Sequence, residues 1–143
     1  MMARQMDDFY AERIAAHLPP VVLDFHAHVW RKSEWHAVPW KSGTAGGGYM
    51  VTTEDYPVER LVGDGRSSFP DREYRAVCFG YPVPLADNAK DTAYVAGAGR
   101  TRGMYPLMVV GSSLKVPAEV IRERLQEGRF LGYKVYLPWH GND

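Results

Sequence analysis

Apolar positions along this chain switch between two rhythms. Over residues about 5 to 18, Met6, Phe9 or Tyr10, Ile14 and Leu18 recur every three to four residues, with Met2 ahead of them, which predicts a helix. Pro19 and Pro20 stop it, because proline lacks a donor and disfavours helix in the residue before it. Val21 to Leu23 then form a short apolar run, read as a buried strand heading VVLDFHAHVW. Residues Arg31 to Thr53 form a long loop containing SGTAGGG; loops of this length are often functional. A short helix is expected around Thr53 to Val62, and Gly63 to Asp71 (GDGRSSFPD) is turn-rich.

The same alternation continues. Tyr74 to Gly80 predicts a second strand, ended by Pro82 and Pro84. Asp87 is a suitable cap for a helix over about Asn88 to Gly97. Tyr105 to Gly111 predicts a third strand. Pro117 suits the first position of the next helix, whose apolar face is Val120, Ile121 and Leu125 and which Gly128 closes. Tyr133 to Leu137 predicts a fourth strand, ended by Pro138.

Strands and helices in strict alternation imply an α/β fold of parallel strands with helical crossovers. Four such units match the N-terminal (β/α)4 half of a TIM-like (β/α)8 barrel, which needs roughly 250 residues when whole. The expected organisation is one incomplete domain over residues 1–143, with an N-terminal helix over 1–19 and a half-barrel over 20–143. A small open sheet, already complete, is the alternative.

Composition narrows the partners. Lys plus Arg is 17 and Asp plus Glu is 17, so formal net charge is zero. That balance argues against a nucleic-acid-binding domain or an anionic membrane surface. No apolar run approaches the roughly 18 residues needed to span a bilayer, and the N-terminus lacks the apolar core of a secretory signal. With a single cysteine, Cys78, a cytoplasmic setting is the expectation. Aromatic residues make up 13% of the chain, suited to cores and to sites for small organic ligands.

The sharpest chemical feature is Asp24-Phe25-His26-Ala27-His28. Strand side chains alternate, so Asp24, His26 and His28 are expected on one face. Two imidazoles so placed can reach one ion, each nitrogen about 2.0–2.1 Å from zinc. Asp24 is then a carboxylate that could orient one ring. The competing reading is two polar histidines at a strand end, with no metal.

This first strand, apolar-apolar-apolar-Asp-x-His-x-His at the head of an alternating β/α chain, resembles that of the amidohydrolase superfamily, in its amidohydrolase-related branch. GRFLGYKVYLP resembles more loosely a strand entry of the same family. The resemblance covers about residues 20 to 138. It implies a distorted (β/α)8 barrel with a divalent metal at the C-terminal strand ends, held first by His26 and His28. Zinc is the expected metal, with manganese, iron or cobalt as alternatives. The family's later ligands, histidines from the fifth and sixth strands and an aspartate from the eighth, have no counterpart here. The chain thus resembles the N-terminal half of such an enzyme.

Lys134 shares the barrel-interior face in YKVYL, with Tyr133, Val135 and Leu137 expected to pack under helices. It resembles a family position that carries a bridging carboxylated lysine in some members and a substrate contact in others. His140, just past that strand, could line the mouth of the site, or lie in an exposed tail. In the long loop, Trp30, Trp35, His36, Trp40 and Tyr49 could form a substrate lid, or pack on the scaffold. Cys78, in an apolar run, reads as an inert core thiol.

The expectation is therefore part of a metal-dependent hydrolase, or a related decarboxylase, acting on a small organic substrate and incomplete alone. A non-catalytic half-barrel interaction module and a small complete α/β metal-binding protein are the rival readings. Open strand edges and uncovered interior positions, including Val22, Val77 or Cys78, and Leu107 or Met108, predict self-association or pairing with a complementary C-terminal half.

Overall fold

The computed structural model describes residues 2–35, 54–81, 87–110, 117–127 and 129–135, with side chains from Asp8 onward. Helix α1 (Met2–Arg13) is followed by a single 3₁₀ turn at Ala15–His17, where one helix over 5–18 was expected. Strand β1 (Val21–His28) continues the apolar run through both histidines. Helix α2 (Val58–Ser68), β2 (Glu73–Phe79), α3 (Asn88–Ala98), β3 (Met104–Val110), α4 (Ala118–Gln126) and β4 (Gly132–Val135) complete the order. The strands pair in parallel in the order β1-β2-β3-β4 and form a curled half-barrel with helical crossovers. No described helix is long and apolar enough to cross a membrane.

The helix-covered face of the sheet carries the core. Ala76 and Cys78 of β2 and Met104, Met108 and Val110 of β3 meet Val58 and Leu61 of α2 and Val95 and Ala98 of α3. Cys78 is fully buried, and burial pushes its thiol up to about 11, as suits an inert core residue. Asp87 caps α3 as its sequence suggests, its Oδ1 accepting from the backbone N–H of Ala89 and Lys90. Pro117 stands at the N-cap, one position before the helix it was expected to begin.

Helix α2 departs most from expectation. It starts after Pro57 and runs through Gly63-Asp64-Gly65, which reads as a turn in sequence. The glycine serves close packing instead: a Cβ on buried Gly65 would meet ring carbons of Tyr74 at 2.2–2.4 Å. The turn signal and the packing signal look alike in a single sequence.

Exposed apolar surface lies at the sheet edges more than in the curl. Val77, Phe79 and Val109 are absent from the helix-side core and occupy the concave face, yet they are only 2%, 0% and 4% exposed. Val22 instead shares the helix side, paired with Tyr74. On β1, Leu23 and Phe25 are exposed, and at β4 Leu131, Tyr133 and Val135 are exposed. Tyr133 and Val135 therefore do not pack under a helix, although Lys134 between them does take the concave face, paired with Val109. Leu137 lies outside the described residues.

Two neighbouring glycines separate propensity from packing. Gly63→Ala, with nothing within 4 Å of its Cβ, should gain up to about 1 kcal/mol from helix propensity. Gly65→Ala should instead lose about 1–3 kcal/mol through overpacking against Tyr74. Urea unfolding of the two variants checks the opposite signs.

Candidate metal and substrate site at the strand ends

Strands β1 and β2 run in register up to Asp24↔Ala76 and resume at Ala27↔Cys78, with a shift between them. Three steps of β1 therefore match two of β2, and simple alternation fails at this point. Asp24 falls on the helix side, where its Oδ2 accepts from the Tyr74 hydroxyl at 3.0 Å. Its Oδ1 accepts from the backbone N–H of His26 at 2.9 Å. The expectation that Asp24 shares the histidines' face and orients a ring is thus corrected: it holds the backbone of the irregularity and reaches neither imidazole through these bonds.

The two histidines do come together. Their ring centroids are 5.4 Å apart, and both meet the fully buried Phe79 edge-on, His26 at 4.9 Å and His28 at 4.6 Å. The His28 Nδ1 lies 3.0 Å from the Gly80 carbonyl oxygen. A carbonyl only accepts, so the neutral ring carries its proton on Nδ1 and its lone pair on Nε2. Burial drives this imidazole down to about 4; the Gly80 contact opposes the shift, while the charges of His26 and Lys134 add to it. His28 is therefore neutral at physiological pH. Lys134 completes the cluster, its Nζ 5.3 Å from the centroid of the same Phe79 ring.

These features bear on whether a metal fits. Two imidazoles bound tetrahedrally to one ion, each nitrogen about 2.0–2.1 Å away, set their ring centroids roughly 5 Å apart, close to the observed spacing. A ligating histidine commonly donates its other ring N–H to a carbonyl, as His28 does to Gly80. The described residues contain no group of three or more His, Cys, Asp or Glu side chains able to hold an ion. His36 and His140 lie outside the described residues, as do Trp40 and Tyr49.

Trp30 and Trp35 pack on the scaffold, in place of the lid considered from sequence. Trp35 stacks on Tyr81 at 5.4 Å, Tyr81 lies 5.9 Å from Trp30, and Trp30 stacks on Tyr56 at 5.2 Å. Trp30 is 7% exposed, donates its indole N–H to the Glu54 carbonyl, and exchanges backbone hydrogen bonds with Tyr56. The stack walls the site on the Tyr81 side, where the Tyr81 ring meets His28 edge-on at 6.1 Å.

Sequence reasoning overlooks Asp91. It lies on α3 behind the site, 3% exposed, and its Oδ2 fills the space a Cβ on Gly80 would take, 1.8 Å from it. Tyr81 donates its backbone N–H to the carboxyl, while Oδ1 has no partner. Burial pushes the acid up to about 7, the Tyr81 bond opposes this, and Glu34 adds to it. Only the bare glycine in Phe79-Gly80-Tyr81 hints at such a neighbour.

Comparison with protein-family models, characterised proteins and solved structures returns no match for this chain.

Asp91 makes stability depend on pH with a definite sign. The folded chain keeps its proton to about pH 7, and the unfolded chain releases it near 3.8. Between these values the folded state binds the extra proton, so stability falls as pH rises. Asp91→Asn should therefore equal the parent near pH 4 and become progressively more stable up to about pH 7, by at most about 1.4 kcal/mol per pH unit. Thermal unfolding of both proteins across this range checks it, and a pH-independent difference would contradict it.

Proposed function

We propose that this chain provides the first four β/α units of a TIM-like barrel enzyme, a metal-dependent hydrolase or decarboxylase of the amidohydrolase-related kind. The observation that carries the reading is the His26–His28 pair at 5.4 Å on the Phe79 ring, with the His28 Nδ1 at the Gly80 carbonyl. A divalent ion, zinc in the first instance, would be held by His26 and His28. When bound there, it would supply Lewis acidity towards water and a substrate carbonyl. The residues of the chain do the rest. Phe79 gives the imidazoles a rigid apolar floor, and the Gly80 carbonyl fixes the His28 tautomer. Lys134 offers a cation on the same face for an anionic group of a small organic substrate.

Zinc binding to the chain alone should be weak, on the order of micromolar or weaker, since two imidazoles fill only half of the metal's positions. Competition with a chromophoric chelator measures it. His28→Ala should abolish the binding, and nanomolar affinity that survives the substitution would contradict the reading. With zinc, manganese or cobalt added, ester and amide turnover should not exceed that of the His26→Ala/His28→Ala variant.

A second reading, a module that assembles with another half-barrel, is favoured by Leu131, Tyr133 and Val135, 66%, 57% and 43% exposed at one edge of the sheet. Sedimentation at micromolar concentration should give a dimer or larger species, and Tyr133→Lys/Val135→Lys should shift it towards monomer. A parent that sediments as a monomer would oppose this reading.

A further inference from the structure

At the other end of the sheet lies a cavity of about 200 Å³, lined by Val62, Arg66, Arg72, Glu73, Tyr74 and Arg102. It sits where β2 begins. His28 pairs with Phe79, six residues further along that strand, so the cavity is roughly 20 Å from the histidines. Three guanidinium groups on one small cavity repel one another, so their partners matter.

Glu73 Oε1 is shared, 3.1 Å from Arg75 and 3.8 Å from Arg102. Asp71 pairs with Arg72 at 2.6 Å, and the other terminal nitrogen of Arg72 donates to the Ala15 carbonyl. Counting Arg66, Arg72, Arg75 and Arg102 against Asp71 and Glu73, four cations face two anions, a local excess of two positive charges. Two donors are left over. The Nε of Arg72 is buried with no hydrogen-bond partner, and exposed Arg66 makes no ion pair among the described residues. A buried guanidinium N–H without an acceptor is costly.

We propose that this cavity binds a small phosphate monoester. The local excess of two charges matches the phosphate dianion, and planar guanidinium forks match its oxygens. The volume is below the roughly 300–1,000 Å³ of sites for drug-sized ligands, which favours a compact phosphate compound. Val62 and Tyr74 give an apolar wall for a short organic body. Arg66 and Arg102 contact the phosphate from the solvent side, and Arg72 lies in the wall beside them.

The probes are inorganic phosphate and phenyl phosphate, at pH 7.5 and constant ionic strength, with EDTA present so that no metal at the histidines takes part. Each should raise the unfolding midpoint of the full chain saturably, phenyl phosphate at the lower concentration. Arg66→Gln/Arg102→Gln alters two exposed side chains; it should unfold like the parent without phosphate and bind about tenfold more weakly or worse. His26→Ala should bind as the parent does, which keeps this inference separate from the metal reading. An equal response in the double variant, or an equal response to sodium chloride at the same ionic strength, would overturn it. Should the double variant unfold early, Arg66→Gln alone, read by isothermal titration, decides between the same two outcomes.

Discussion

Strand β1 and strand β2 meet in register at Asp24↔Ala76 and again at Ala27↔Cys78, and the site follows from the residue in excess between them. Without that residue, strict alternation would turn Asp24, His26 and His28 to one face together. With it, Asp24 joins the helix side and binds the Tyr74 hydroxyl, while both imidazoles reach Phe79 on the concave face. The Asp24 carboxylate accepts the His26 backbone N–H, a bond the sheet ladder would otherwise use. Holding the irregularity and aiming the histidines are thus one structural act.

Phe79 carries the next level of order. It is fully buried although it lies on the concave face, because His26, His28 and Lys134 all lie against its ring. The ring desolvates His28 and keeps it neutral, the state in which an imidazole can bind a metal ion. A lysine ammonium over an aromatic face is stabilised by the ring quadrupole, so a cation and a neutral base can share one apolar floor. Directly after Phe79, Gly80 gives its carbonyl to His28 and its missing side chain to Asp91. Two consecutive residues thereby join the site to α3.

The strands were legible because each is a short apolar run cut off by proline or glycine, and their parallel order followed from the alternation with helices. His26 and His28 were legible as a pair because the period of a strand brings them to one face even when the irregularity precedes them. Asp24 was misplaced for the same reason: a single extra residue leaves no mark on the pattern. Gly65 read as a turn because a glycine chosen for close approach to Tyr74 has the same letter as one chosen for a positive φ. Asp91 had only the bare Gly80 as a signal, since its environment comes from Gly80, Tyr81 and Glu34, none of them on its own helix. Trp30 and Trp35 could have been lid or scaffold, and only the stack with Tyr81 and Tyr56 decides between them.

The edge at β4 constrains what can complete this sheet. Tyr133 and Val135 pair with Met108 and Val110, which belong to the helix-side core. Their exposed side chains therefore extend the layer between sheet and helices, not the concave face. Adding a bare strand would satisfy the backbone groups of β4 yet leave that layer open to water. A strand followed by a helix would cover both. Fully burying side chains of this size is worth roughly 1.5–3 kcal/mol each. Two or three of them approach the lower end of a domain's typical net stability of about 5–15 kcal/mol. A β/α unit packed on this edge would therefore cover both its backbone groups and its exposed apolar side chains.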